Sequence, residues 1–223
     1  MESSRWDAQG NVYLVTTEPL TADAVRSEVG DADGILEVRD RTDDAVEITI
    51  WNPDGSVAEM SGNGTRIAAR WHGADTVRVR VGPREVVARR LGGDLVEQDM
   101  GEVTVGEPET VAGISLIAVD VGNPHAVVDD DPARVMQIGP LLETHERFPN
   151  RTNVQVARRA GDGIEARVWE RGAGETASSG SSAVAVAAAF GMQPVTIRFP
   201  GGPLEVRFEG RRAFLTGPAV RVA

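Results

Sequence analysis

A chain of 223 residues, 41% hydrophobic and 26% charged, can bury a substantial core and suits one large domain or two small ones. A formal net charge of −11 and a pI near 4.8 argue against nucleic acid or an anionic membrane surface as main partner, although a local basic pocket fits on an acidic protein. The lack of cysteine excludes a disulfide framework, a thiolate metal site and a thiol nucleophile. The start, Met1–Asp7, has no apolar signal core, and the longest apolar run falls short of the roughly 20 residues that span a bilayer, so a cytoplasmic protein is expected.

Gly10 and Asn11 turn into a strand that runs to Thr16. Thr21 caps a short helix whose apolar positions are Ala22, Ala24, Val25 and Val29. Asp33-Gly34 leads into a strand at Ile35–Val38, and Val46–Trp51 alternates as another. Asn52-Pro53-Asp54-Gly55 carries Pro and Gly where a type I turn favours them. Ser61-Gly62-Asn63-Gly64-Thr65 then enters a helix predicted over Arg66–Trp71 and stopped at Gly73. Strands are expected at Thr76–Val81, Glu85–Ala88 and near Leu95. The Gly-, Glu- and Pro-rich stretch Gly101–Gly113 reads as a linker at a domain boundary.

Ser115–Val121 is an apolar strand, and Gly122-Asn123-Pro124-His125 is a polar turn before Ala126-Val127-Val128. Residues 129–150 read as an acidic loop holding a short helix at Val135–Leu142, with strands next at Thr152–Ala157 and Ile164–Trp169. From Glu170 a loop rich in Gly and hydroxyls opens into Ala183–Gly191, an apolar helix with Ser179, Ser181 and Ser182 as candidate N-caps. Such a helix should be buried, and its N-terminus offers backbone N–H groups to an anion. Val195–Phe199, Leu204–Phe208 and Ala213–Leu215 close the chain as strands. Strands far outnumber helices, so the fold class is mixed α+β with strands curled around a helix.

One pattern occurs twice. Val46–Trp51 with Ser61-Gly62 matches Ile164–Trp169 with Ser179-Gly180 at a constant offset of 118 residues (164 − 46, 169 − 51, 179 − 61). That predicts two pseudo-symmetric halves, each a strand, a polar loop and a central helix. Polar groups gather at the strand ends: Asn11, Asn52, Asn63, Asn123, His125, Asn153, Glu170 and Arg171. Taken singly, the asparagines and His125 are turn residues, Glu170-Arg171 is a surface ion pair, and Ser61 and Ser179 are helix caps. Two repeated Ser-Gly helix starts beside a Glu-Arg pair and an amide-rich set say more together.

These residues resemble the diaminopimelate epimerase family over nearly the whole chain. The matching motifs are Asn52-Pro53-Asp54-Gly55 with Glu59-Met60-Ser61-Gly62-Asn63-Gly64-Thr65-Arg66, then Gly122-Asn123-Pro124-His125, Arg151-Thr152-Asn153-Val154 and Glu170-Arg171-Gly172-Ala173-Gly174-Glu175-Thr176 with Ser178-Ser179-Gly180, in the family's order. Gly10-Asn11 and Leu215–Ala219 match its ends. The resemblance implies two α+β halves, 1–112 and 113–215, a closing segment 216–223 that returns to the first, and an active site in the cleft between them. It implies inversion at the α-carbon of an amino acid with no cofactor and no metal, diaminopimelate being the default substrate, in lysine and cell-wall precursor synthesis. Ser61 and Ser179 stand where the family has its two proton-transferring cysteines, and His125 and Glu170 match the groups that assist them. Asn11, Asn52, Asn123, Asn153, Glu170 and Arg171 match substrate-holding positions, and the backbone of Gly62, Asn63, Gly180 and Ser181 matches the carboxylate cradle. The implied partner is a small amino-acid-like substrate, with no nucleic acid, no membrane, and room for a homodimer.

The departures are chemical. A thiol ionises near 8.5 and an alcohol nearer the 15.7 of water, so a hydroxyl base costs roughly 10 kcal/mol more to make. His125 or Glu170 recovers part of this by acting as a base, as happens for nucleophilic serine. The loop Val29–Gly34 is also shorter than the family's, and Val12 replaces its Asp. Two other readings stay open: an isomerase of another small acid that uses Glu or His, as phenazine-biosynthesis-type isomerases of the same fold do, and a non-catalytic amino-acid binder or Cys-to-Ser form.

Overall fold

The computed structural model describes residues 1–222. Its chain divides into two compact units, Met1–Asp99 with the segment from Thr216 onward, and Met100–Leu215.

Period-two alternation of apolar side chains forms the strands of the first unit: β1 (Ser4–Asp7), β2 (Val12–Thr16), β3 (Gly34–Arg41), β4 (Ala45–Trp51), β5 (Val57–Ala58), β6 (Thr76–Val81), β7 (Arg84–Gly92) and β8 (Leu95–Glu102). Two helices accompany them, α1 (Ala22–Glu28), capped by Thr21, and α2 (Gly62–His72). Helix α2 begins four residues before the expected Arg66. Ser61 takes the extended N-cap conformation and its hydroxyl accepts from Gly64 N at 3.0 Å, while Thr65 Oγ1 donates back to the Ser61 carbonyl at 3.0 Å. Gly73 ends the helix in the left-handed region at φ 92°, open to glycine at no steric cost.

The second unit holds β9 (Thr104–Val111), β10 (Ile114–Asp120), β11 (Pro124–Asp129), a 3₁₀ turn at Pro132–Arg134, α3 (Val135–Glu143), β12 (Asn153–Ala160), β13 (Gly163–Glu170), β14 (Gly174–Thr176), α4 (Gly180–Ala189), β15 (Val195–Phe199), β16 (Gly202–Glu209) and β17 (Arg212–Pro218). A closing strand, β18 (Val220–Val222), pairs antiparallel with β1 in the first unit. The stretch expected as a linker, Gly101–Gly113, is mostly strand. Its polar side chains face outward while β9 pairs with β10, so composition resembled a loop and backbone pairing decided otherwise. The two compact units part at Asp99/Met100.

The 118-residue repeat is a repeat of pairing. In the first unit β4 runs parallel to β6 with Val46 opposite Val79, and antiparallel to β5 with Ile50 opposite Ala58. In the second, β13 runs parallel to β15 with Ile164 opposite Ile197, and antiparallel to β14 with Val168 opposite Thr176. Each unit folds its sheet against its own helix. Ile67, Ala68 and Ala69 of α2 pack on Val46, Ile48, Ile50, Val77 and Val79, and the run Ala183–Ala188 of α4 packs on Ile164, Val168, Ile197, Leu204 and Leu215. Alanine and valine let strands approach the helix on every side, and each buried valine or isoleucine stabilises by about 1.5–3 kcal/mol. The indoles repeat as well: Trp51 Nε1 donates to the buried Glu37 at 2.8 Å and Trp169 Nε1 to the buried Glu143 at 2.7 Å. Gly139 of α3 lies so near Trp169 that a Cβ there would meet the indole at 2.6 Å, which lets α3 close over β13.

Candidate active site

The first unit gathers its site residues at the mouth of α2. Ser61 Oγ accepts from Gly64 N and also from the Tyr13 hydroxyl of β2, at 3.3 Å. Asn63, one residue into the helix, accepts on Oδ1 from Arg66 Nη2 at 2.6 Å and donates through Nδ2 to Asn11 Oδ1 at 3.2 Å. Those two bonds set the amide's orientation and tie the Asn11 loop to the helix start. Arg66 is fully buried, and burial lowers its pKa to about 10, so it is a fixed positive charge beside that helix start at neutral pH. Its Nη1, like Oε1 of the buried Gln98 that donates to Thr65, has no hydrogen-bond partner among the described residues. Asn52 stands apart from this group. Its Nδ2 donates to Ser56 Oγ at 2.9 Å, and its carbonyl accepts from Gly55 N to close the turn.

The second unit builds its counterpart around α4 with different bonds. Ser179 holds the N-cap position but makes no cap bond; its hydroxyl donates to Glu170. Thr176 Oγ1 also donates to Glu170. Burial pushes the Glu170 carboxyl up, and the Thr176 and Ser179 hydrogen bonds partly oppose that rise. Gly180 and Ser181 open the helix, and Ser182, one of the candidate caps, is buried inside the first turn. The first-turn amides of α4 therefore receive no hydroxyl from Ser179.

His125 at the start of β11 is buried, with Gln155 Nε2 at 2.9 Å from Nδ1 and Asn123 Oδ1 at 3.0 Å from Nε2. A neutral ring with its proton on Nε2 satisfies both, taking the Gln155 N–H on Nδ1 and donating to Asn123. Burial, with the Arg171 charge adding to it, lowers the pKa to about 3. Gln155 Nε2 also donates to Ser182 Oγ at 2.9 Å, so the histidine is linked through one amide to the first turn of α4. Asn153 Oδ1 accepts from Arg171 N at 3.0 Å, and its Nδ2 donates to the Pro124 carbonyl at 3.0 Å. The exposed Arg171 guanidinium donates to the Asn150 carbonyl at 3.2 Å. Below this loop Glu143 accepts from Gly172 N at 2.7 Å and from Arg151, which with its Trp169 bond brackets residues 170 and 171.

Within each unit, then, most of the expected site residues touch one another: Asn11 and Asn63 in the first, and Asn123 with His125, Asn153 with Arg171, and Glu170 with Ser179 in the second. Tyr13, Thr176, Gln155, Glu143 and Arg66 were not expected. Tyr13 is the chain's single tyrosine, a signal the sequence offered, but its alternating strand position reads as core. Among the described residues no three His, Cys, Asp or Glu side chains are grouped to hold a metal, and no helix is long and apolar enough to cross a membrane.

The family model of diaminopimelate epimerase matches residues 13–109 and 117–222. The chain is similar to the diaminopimelate epimerase of Pelotomaculum thermopropionicum, 35% identical over 228 aligned positions that cover 86% of this chain and 81% of the relative. Its fold is that of a predicted epimerase from Pseudomonas aeruginosa, with a TM-score of 0.74 at 15% identity over 99% of this chain and 96% of the other. A phenazine biosynthesis PhzF-family protein from Enterococcus faecalis superimposes with a TM-score of 0.74 at 12% identity, over 99% and 96% of the two chains.

Proposed function

Since the chain belongs to the diaminopimelate epimerase family and is an isomerase of the epimerase kind, we propose that it inverts the α-carbon of an amino acid through hydroxyl groups, with diaminopimelate the first substrate to try and lysine and cell-wall precursor synthesis its cytoplasmic setting. Ser61 and Ser179 are the proposed proton-transfer groups. The observation that carries this reading is the placing of the Ser179 and Thr176 hydroxyls against Glu170, a carboxyl whose pKa burial raises. A hydroxyl backed by a carboxylate hands its own proton on as it takes another, so a full alkoxide is avoided. Neutral His125 supplies no charge and holds the first turn of α4 through Gln155 and Ser182.

Deuterium exchange at the α-carbon over a panel of amino acids in D₂O tests the proposal. Exchange should be seen, and Glu170→Gln should lower it by about 10²–10⁴-fold while leaving the protein folded. Tight binding with no exchange would mean a binder. The second reading, an isomerase in which Glu170 itself carries the proton on another small acid, is favoured by that same raised carboxyl. It is separated by Ser179→Ala, which would then spare activity.

Arg171 is assigned to the substrate carboxylate. Arg171→Ala should weaken ligand binding about tenfold or more, since a hydrogen bond to a charged group contributes about 1.5–3 kcal/mol. Arg158→Ala should change little, because Arg158 pairs with Glu165 and Asp131 on the surface. Calorimetric titration of both variants would reveal the difference, and equal losses would reduce Arg171 to a surface charge.

A further inference from the structure

Glu143, the last residue of α3, is buried, and its carboxylate takes donors of three kinds. Oε1 accepts from Gly172 N at 2.7 Å and from the Arg151 guanidinium, and Oε2 accepts from the Trp169 indole at 2.7 Å. Its backbone carbonyl accepts from Thr152 N at 3.2 Å. Two segments of the second unit, 150–152 and 169–172, therefore meet at one residue. Resting on the epimerase reading, we propose that Glu143 is a positioning residue of the reaction: its carboxylate clamps these two segments together and so fixes where Glu170 and Arg171 stand.

The placing of the donors carries the argument. Trp169 and Gly172 flank Glu170 and Arg171, so the carboxylate grips the pair from both ends. Arg171 spans the same gap, with its N–H on Asn153 Oδ1 at 3.0 Å and its guanidinium on the Asn150 carbonyl at 3.2 Å. Those bonds keep their length only while the 150–152 turn stays beside residue 171. The turn itself carries strain. Arg151 has a φ of 60°, a left-handed conformation that a residue with a Cβ keeps only where its surroundings hold it. Its N–H closes on the Phe148 carbonyl at 2.8 Å, and Glu143 holds its other end. Gly139, one turn earlier in α3, leaves the room that brings the indole to the carboxylate.

The first unit has the indole bond without the clamp. Glu37 accepts from Trp51 and Arg39, and the turn after Trp51 closes on itself through Asn52 and Ser56. The bonds to Gly172 and Arg151 are thus particular to Glu143. They also require a carboxylate. In Glu143→Gln the new amide nitrogen faces either the indole N–H or the Gly172 and Arg151 donors, so one tie is lost whichever way it turns.

Two measurements on the full chain test the clamp. In Glu143→Gln, hydrogen exchange read by mass spectrometry should speed about tenfold or more at residues 170–173, the worth of one bond to a charged group. The rest of β12 and β13 should change less than about twofold. Acceleration spread evenly over the second unit, or none in the loop, would overturn the proposal. With diaminopimelate, KM should rise and kcat should fall by about threefold or more each, because Arg171 and Glu170 lose their places together. A folded variant with both constants unchanged would make Glu143 a core residue and nothing more. Arg151→Gly covers the case in which Glu143→Gln does not fold. It removes one donor from a half-exposed side chain and takes the left-handed φ without strain. The same loop acceleration and joint shift should follow in smaller degree, and their absence there counts against the clamp. No turnover in the unaltered protein would sink the epimerase reading, while the exchange pattern would still decide whether Glu143 holds the loop.

Discussion

Converting Ser61 and Ser179 together to cysteine should raise α-proton exchange with diaminopimelate by about 10²-fold or more. A thiol and an alcohol differ by about seven pKa units. If a third to a half of that difference reaches the rate, each proton transfer gains about 10²–10³. Both new thiols would sit at helix starts, where the N-terminal amides favour a thiolate. Either change alone leaves one transfer on a hydroxyl and should gain far less. The measurement is exchange by mass spectrometry on folded single and double variants. No gain in the double variant would remove the assignment of these serines as the proton-transfer pair.

Acid should destabilise the protein chiefly through His125. Its ring is neutral when folded, with a pKa of about 3 against 6.5 unfolded. For a group whose pKa is depressed by folding, the stability is complete above the unfolded value and is lost as pH falls toward the folded one. Each pH unit below 6.5 therefore costs about 1.4 kcal/mol, and a fall to pH 4.5 costs about 3 kcal/mol, a large part of an ordinary domain's stability. Glu170 works the other way. Its raised carboxyl favours the folded protein at low pH, and that contribution is lost as pH rises through its folded pKa. Urea midpoints at pH 7 and 4.5 should thus fall steeply for the unaltered protein and much less for His125→Gln. Parallel losses in both would mean that His125 does not carry the acid sensitivity.

Much of the fold was legible because its signals are local. Thr21 and Ser61 cap helices as their side chains allow, Gly73 ends α2, and the 118-residue repeat survives as matching strand registers. Where pattern and backbone pairing conflict, pattern failed. Residues 101–113 looked like a linker because β9 turns polar side chains outward, and β1, β5 and β14 are too short to show a period.

The order of residues alone is enough to put two serines at equivalent helix starts and Glu170, His125 and the asparagines near strand ends. A repeat and a motif are written along the chain, so no folding is needed to read them. How each serine is bonded depends on residues distant in the chain. Tyr13 and Ser61 lie 48 residues apart in sequence and meet because β2 passes beside the mouth of α2. Gln155 reaches His125 across 30 residues, through the parallel pairing of β11 with β12. Hydrogen bonding and desolvation are properties of such non-local neighbours, and they give two serines at equivalent helix starts different partners.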